Sequence, residues 1–380
     1  MEKTFFIKDI RDKAPVEGSF LVTKKETGVS KAGKAYLIVR LMDSSGECEA
    51  RVWDNAESLA RKFDKNDVVF LRGFCVPYQG RLQINISAIE RLGEGEYTMR
   101  DYLPCSKRDP EEMIRALDAV VEGMEDRHVR ALLQAIFADP DVRGRFMAAP
   151  AAKAMHHPYL GGLLEHVLSI CGLVANVVAH YRSDGAVINR DLLMAGAILH
   201  DIGKIYELSY STGFDYTDEG RLVGHITMGV ELVDDKVRGL AGFPAELKVQ
   251  IKHLLLSHHG TYEFGSPKRP KTLEAVLLSY LDDIDAKVNA FRSIIEAEKD
   301  SPGNWTSYQR MFERFVYKKA YLTGADEEGV PAEGGGEGEG AKGAGEAGAG
   351  EPEAKEGAGG SGRQGAGEEP GGPDTLRLFK

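Results

Sequence analysis

The spacing of apolar residues changes once along the chain. In the first part, Gly18–Thr27, Ala35–Met42 and Glu47–Trp53 are alternating or continuously apolar runs rich in β-branched and aromatic residues. That is the pattern of strands on a half-buried surface. Ser30 to Lys34, which contains Gly33, and Asp43-Ser44-Ser45-Gly46 break the runs with turn formers. Between Asn55 and Phe63 the period lengthens. Ala56, Leu59, Ala60 and Phe63 fall on one side of a helix, with Asn55 as its N-cap. Val68–Val76 and Leu82–Ile89 return to strand on either side of a turn at Tyr78-Gln79-Gly80.

Three strands, a helix and two strands, in that order, predict an all-β OB-fold over residues 1–95, a small Greek-key barrel used on oligonucleotides. From Asp109 onward the period is helical. Asp109-Pro110-Glu111-Glu112 is a helix start: a cap, a proline in the first turn, and acids at the positive end of the dipole. Met113, Leu117, Val120, Val121 and Met124 follow on one face. Further helices are expected at Val129–Phe137, Gly162–Tyr181, Asp191–Leu199, Ile226–Val233, Glu246–His258, Lys271–Ile295 and Tyr308–Leu322. No run in this half reads as a strand. The chain is therefore expected to continue all-α, with connecting helices over 96–155 and a helical domain over 156–322. The longest apolar stretch, Leu163 to Val178, is interrupted by Glu165, His166 and Asn176, and reads as a buried helix, not a membrane span.

Residues 324–373 are Gly, Glu and Ala with scattered Pro, which bury too little to offset their ordering entropy, so a disordered acidic tail is expected over 323–380. The tail changes the meaning of the charge. The chain is net −11, with 48 basic and 59 acidic residues, and an acidic chain argues against a nucleic-acid partner. Residues 324–373, however, hold 12 of the acids and only 3 basic groups, whereas residues 1–91 hold 16 basic and 13 acidic. The objection belongs to the tail. Four cysteines, Cys48, Cys75, Cys105 and Cys171, form no CxxC pair, which argues against a disulfide framework or a thiolate zinc site. With no apolar signal segment at Met1–Phe6, a cytoplasmic protein is expected.

Most of the ten histidines lie in the helical half. His200-Asp201 closes an apolar run and precedes Ile202-Gly203-Lys204; His166 comes before it, and His225, then His258-His259, then Asp282-Asp283-Ile284-Asp285-Ala286 follow. Imidazole and carboxylate together suit divalent manganese, iron, cobalt or zinc. Two such ions, sharing one carboxylate, activate water and steady an in-line phosphoryl displacement. Any one of these histidines alone is ordinary; the ordered set, each on its own helix, is not.

The set His166, His200-Asp201, Asp282 resembles the H…HD…D signature of the HD-domain metal-dependent phosphohydrolases. The strings around Pro150–Lys153, His156-His157, Gly161–His166, Gly224-His225, Ser257–Gly260, Phe264–Pro267 and Leu281–Lys287 resemble the YhaM-type 3′-to-5′ exoribonucleases, which join an N-terminal OB-fold to an HD domain. The resemblance covers about residues 5–322. It implies that His166, His200, Asp201 and Asp282 bind a first metal, with Asp201 bridging, and that His225, His258 and His259 hold a second. Lys204 would meet the scissile phosphate. Asp285 would orient a ligand, and Asp283 would be a solvated helix residue. His156-His157 reads as structural, as do His128, His180 and His253.

For holding a strand, the barrel segment offers basic residues and aromatic platforms. Tyr36 and Trp53, with Lys31, Lys34 and Arg51, are the candidate contacts there, and Lys268 and Arg269 in the helical half. The competing reading for Tyr36 and Trp53 is barrel core. The function expected is a metal-dependent 3′-to-5′ exonuclease on single-stranded RNA or DNA, with a homo-oligomer left open. The alternatives are a nucleotide or cyclic-dinucleotide phosphohydrolase, and a nucleic-acid-binding protein whose HD domain is structural.

Overall fold

The computed structural model describes residues 3–30, 33–93, 95–153, 157–210 and 213–319. Lys31, His156 and residues 320–380, which include the whole expected tail, lie outside the described residues. Residues up to Glu296 form one compact unit, and the segment from Ala297 belongs to another.

The first five strands are β1 (Pro15–Val29), β2 (Ala35–Asp43), β3 (Gly46–Val52), β4 (Val68–Tyr78) and β5 (Arg81–Arg91), with helix α1 (Ala56–Ala60) between β3 and β4. They close in the order β1-β2-β3-β5-β4. Every pairing is antiparallel except β3 with β5. This is the OB-fold that the element order predicts. β1 is longer than its apolar run because its first half pairs with β4 and its second with β2, across an irregularity between Val22 and Lys24. Phe20, Val39, Leu41, Ala50, Val52, Leu71 and Ile84 are fully enclosed in the barrel. Gln79 and Gly80 both take positive φ, 49° and 77°, the geometry of a tight hairpin turn. Asn55 stands at the N-cap of α1 but makes no side-chain cap bond.

The helical part runs α2 (Pro110–Glu122), α3 (Arg127–Phe137), α4 (Pro140–Ala148), α5 (Gly162–Ser183), α6 (Arg190–Leu199) and the single turn α7 (Lys204–Glu207). Next come a two-residue ribbon, β6 (Leu208–Ser209) and β7 (Asp215–Tyr216), then α8 (Asp218–Val223), α9 (His225–Arg238), α10 (Ala245–Ser257) and α11 (Leu273–Ala297). Asp109 caps α2 by accepting from Glu111 N, and Pro110 sits in the first turn. α4 begins with the same device at Asp139-Pro140, but buries only Val142 and Phe146, too few to show a stripe in the sequence. α5 is apolar and long enough to cross a membrane by length and composition. Its Leu163, Leu164, Val167, Ile170, Val174 and Val178 instead pack in the core of the helical part. A small cluster of Leu21, Val68, Tyr102 and Leu103 joins the barrel to the connecting segment.

Two expectations change. The ribbon β6–β7 places short strands in a half read as purely helical. The helix expected at Tyr308–Leu322 does not form: over its described residues the chain makes turns and isolated antiparallel bridges, Trp305 with Tyr317 and Gln309 with Arg314. The reason is the period. Around Phe315-Val316-Tyr317 exposed, buried and exposed residues alternate, which is strand-like, not helical.

Candidate active site

The site residues come from five helices and the turns that follow them. His166 is in the first turns of α5; His200 caps the end of α6, and Asp201 is the next residue; His225 opens α9; His258 and His259 follow α10; Asp282 and Asp285 lie one turn apart on α11. All are buried. Gly203 lets the turn after Asp201 lie against the start of α9: a Cβ there would stand 2.0 Å from the His225 carbonyl.

The imidazoles converge by their Nε2 atoms. His166 Nε2 lies 3.2 Å from His200 Nε2. Asp201 Oδ2 is 3.3 Å from His200 Nε2 and 3.9 Å from His166 Nε2, and Asp282 Oδ1 is 3.4 Å from His166 Nε2. The other oxygen of Asp201, Oδ1, faces His225 Nε2 at 3.4 Å and His258 Nε2 at 3.6 Å. His225, His258 and His259 form a second group whose ligand atoms lie within 4.8 Å of one another. Both members of the His258-His259 pair therefore belong to it.

Behind each ring its Nδ1 is held. His200 Nδ1 meets Ala197 O at 3.0 Å, His258 Nδ1 meets Leu255 O at 2.8 Å and His259 Nδ1 meets Phe264 O at 2.9 Å. His225 Nδ1 sits 3.0 Å from Glu207 Oε1, which also accepts from His225 N. His166 Nδ1 sits 2.7 Å from Asp285 Oδ2. A carbonyl or carboxylate at Nδ1 takes the N–H, so the Nε2 lone pair points to the centre.

The charges are interdependent. Burial alone would raise Asp201, but Lys204 and His200 outweigh it and hold its carboxyl well below the usual range. Burial likewise opposes the charge on Lys204, and Asp201, 2.6 Å from its Nζ, overcomes this and raises it. Burial works against a charged His166; its bonds to Asp282 and Asp285 prevail and lift it to about 9. Asp285, also buried, is lowered by His157 and His166, and Glu207 by His225. A cation held by His166 would take the place of the proton on its ring, coupling binding to proton release.

The donor set fits a divalent cation. Asp201 Oδ1 and His225 Nε2 are buried with no hydrogen-bond partner, a cost of about 1–3 kcal/mol each unless something binds them.

The HD domain family model matches residues 163–287, and the OB-fold nucleic acid binding domain model matches residues 21–92. Among curated proteins, the 3′-5′ exoribonuclease YhaM of Geobacillus sp. (strain WCH70) is 34% identical over 289 residues, covering 76% of this chain and 86% of that one. The chain belongs to the YhaM exoribonuclease family. Two solved structures are similar to part of the chain. One is the second OB-fold domain of replication protein A from Methanococcus maripaludis: 15% identity, 24% of this chain, 98% of that one, TM-score 0.21. The other is the mitochondrial single-stranded DNA binding protein Rim1 of S. cerevisiae: 14% identity, 22% of this chain, 100% of that one, TM-score 0.19.

This YhaM-family chain thus binds divalent metal through its HD domain and nucleic acid through its OB-fold. On the barrel, Tyr36 and Trp53 are not core. Their rings stack at 4.6 Å and 26°, with Trp53 40% exposed. Tyr36 lies over Gly28, where a Cβ would stand 2.6 Å from the ring. The Arg51 guanidinium is 5.4 Å from the Tyr36 centroid, 5.6 Å from Trp53 and 5.7 Å from Tyr78. The adjoining cleft, about 760 Å³, is lined by Arg40, Arg51, Tyr78 and Arg81 among others. Lys34 is engaged with Asp54 at 2.6 Å on the surface. Lys268 and Arg269 are exposed, the latter over the Tyr262 ring at 4.9 Å.

Some assignments shift in this YhaM-family site. His157, read as structural, lies directly behind the ligand set: its Nε2 is 3.1 Å from Asp285 Oδ2 and its Nδ1 is 2.6 Å from Tyr159 OH. Its backbone takes φ 55°, a costly state for a non-glycine. Ser169 Oγ also donates to Asp285. Glu207, Ser169 and Tyr159 carry no sequence signal. Asp283 pairs with Lys287 at 2.7 Å on the surface, and His128, His180 and His253 stand outside the cluster.

Proposed function

We propose that this protein is a metal-dependent 3′-to-5′ exonuclease that releases nucleoside monophosphates from single-stranded RNA. The observation that carries this reading is Asp201, which turns one oxygen to His166 and His200 and the other to His225 and His258. In this reading His166, His200, Asp282 and Asp201 would hold one ion, and His225, His258, His259 and Asp201 the other. A set this rich in imidazole favours manganese, iron, cobalt or zinc over magnesium or calcium. When bound, such ions make water nucleophilic at neutral pH and neutralise charge in an in-line phosphoryl displacement. Asp201, with one oxygen toward each group of histidines, would be a ligand common to both ions. Lys204, already paired with Asp201, presents its ammonium to an oxygen of the scissile phosphate. The reading needs no protein nucleophile. The stacked pair Tyr36–Trp53 and Arg51 hold the strand by base stacking and charge. A cytoplasmic setting belongs to the same reading, in keeping with free buried thiols at Cys48, Cys75 and Cys171.

A small-nucleotide phosphohydrolase would leave the aromatic barrel face without a role, and a purely binding protein would leave a full ligand set without one. Neither is favoured. The test is digestion of a 3′-accessible RNA oligonucleotide with each divalent metal in turn, beside a 3′-blocked control, a DNA strand and Asp201→Ala. Stepwise shortening to monophosphates, absent from the blocked control and from Asp201→Ala, is expected. An intact accessible strand in every metal would sink the reading.

A further inference from the structure

Residues 305–317 form a small ladder that the reading above does not use. Thr306 N donates to Val316 O at 2.9 Å, and Gln309 N to Arg314 O at 2.9 Å. Side chains alternate across it. Thr306 and Val316 are each 4% exposed, whereas Trp305, Phe315 and Tyr317 stand 57%, 56% and 48% exposed. The open rings make two edge-to-face pairs: Trp305 with Tyr317, centroids 5.0 Å apart, and Tyr308 with Phe315, 5.2 Å apart. Single exposed aromatics are ordinary; four on one short ladder mark an interaction surface. Exposed cations run among them: Arg310, Arg314 and Lys319.

We propose that this ladder is a second handhold for single-stranded nucleic acid, in addition to the barrel face. Bases stack on the Trp305–Tyr317 and Tyr308–Phe315 pairs, and phosphates meet Arg310, Arg314 and Lys319. The mixture of rings and cations decides the class of partner. Residues 305–319 carry Arg310, Arg314, Lys318 and Lys319 against a single acid, Glu313, and a polyanionic single strand is held by aromatic faces with cations between them. The inference rests on the exonuclease reading only for the polymer, and binding is measured without metal or cleavage, so the two can fail separately.

The chain has two tryptophans, Trp53 and Trp305. In full-length Trp53→Phe, fluorescence therefore reports the ladder alone. With chelator present, a single-stranded RNA oligonucleotide is expected to quench Trp305 saturably, less so as salt rises. In the otherwise unaltered chain, Tyr308→Ala with Phe315→Ala is expected to weaken RNA affinity about tenfold, while turnover of bis(p-nitrophenyl) phosphate, which needs no strand grip, stays unchanged. Absence of quenching, or unchanged affinity in the double variant, overturns the proposal. So does a variant that loses oligomer mass at unchanged affinity, which assigns the face to a second copy. Deleting residues 320–380 checks the acidic segment as occupant: altered Trp305 emission without any response to RNA would also overturn it.

Discussion

Nδ1 of His166 lies 2.7 Å from Oδ2 of Asp285, and the same oxygen is 3.1 Å from Nε2 of His157. The carboxylate thus stands behind the imidazole and selects which nitrogen faces Asp201 and Asp282. Partners of this kind typically contribute about tenfold to a hundredfold in metal affinity. Asp285→Asn is expected to lose that much, with its helix content kept. Competition against a chelating indicator measures it; a folded variant with unchanged affinity contradicts the role.

Gly203 is a steric requirement. A Cβ at this position would meet His225 O at 2.0 Å and Gly229 N at 2.8 Å, both backbone atoms that cannot swing aside. Gly203→Ala should therefore displace α9 and destabilise the protein by about 1–3 kcal/mol. Urea unfolding checks this, and a variant as stable as the parent would refute the packing argument.

The stacked pair on the barrel faces outward, so its loss should touch binding more than chemistry. Trp53→Ala is expected to raise KM for an RNA strand about tenfold, with kcat little changed. A fall in kcat at constant KM would place Trp53 elsewhere in the cycle.

His253 supplies a pH dependence away from the metal cluster. Its Nε2 accepts from Lys271 N at 2.9 Å, and burial, helped by Lys271, lowers its pKa. The folded protein thus favours the neutral ring. The unfolded chain takes up a proton near pH 6.5. The contribution is full above that pH and is lost as pH falls through the lower folded value. Against His253→Gln, which cannot titrate, the parent's advantage in thermal stability should narrow from about pH 7.5 to about pH 5.5. A constant gap would count against it.

The barrel was readable because its strands keep a period of two and its turns carry Gly and Asp. What lay beyond the pattern was length: β1 extends to Pro15 and Val29 only because β4 and β2 pair with its ends. The histidines and Asp201 were legible as donors because such residues seldom recur in this order on successive helices. Glu207 was not. A glutamate at the end of one helical turn becomes a partner for His225 only once that turn folds against α9. The contact of His157 is silent in the sequence for a similar reason: its partner Asp285 lies on the distant α11. At Phe315-Val316-Tyr317 three successive apolar residues hide a period of two, which shows only once Val316 is buried between two exposed rings.

The five Nδ1 tethers have a consequence for how the enzyme loads. His166, His200, His225, His258 and His259 are each fastened to an oxygen of the fold itself. Their rotamers are chosen when the helices pack, so little ordering is left for an arriving cation to impose. Such a cradle is preorganised. A chelator should silence the enzyme without melting it, and returning metal should restore activity at the pace of encounter, with no refolding step in between.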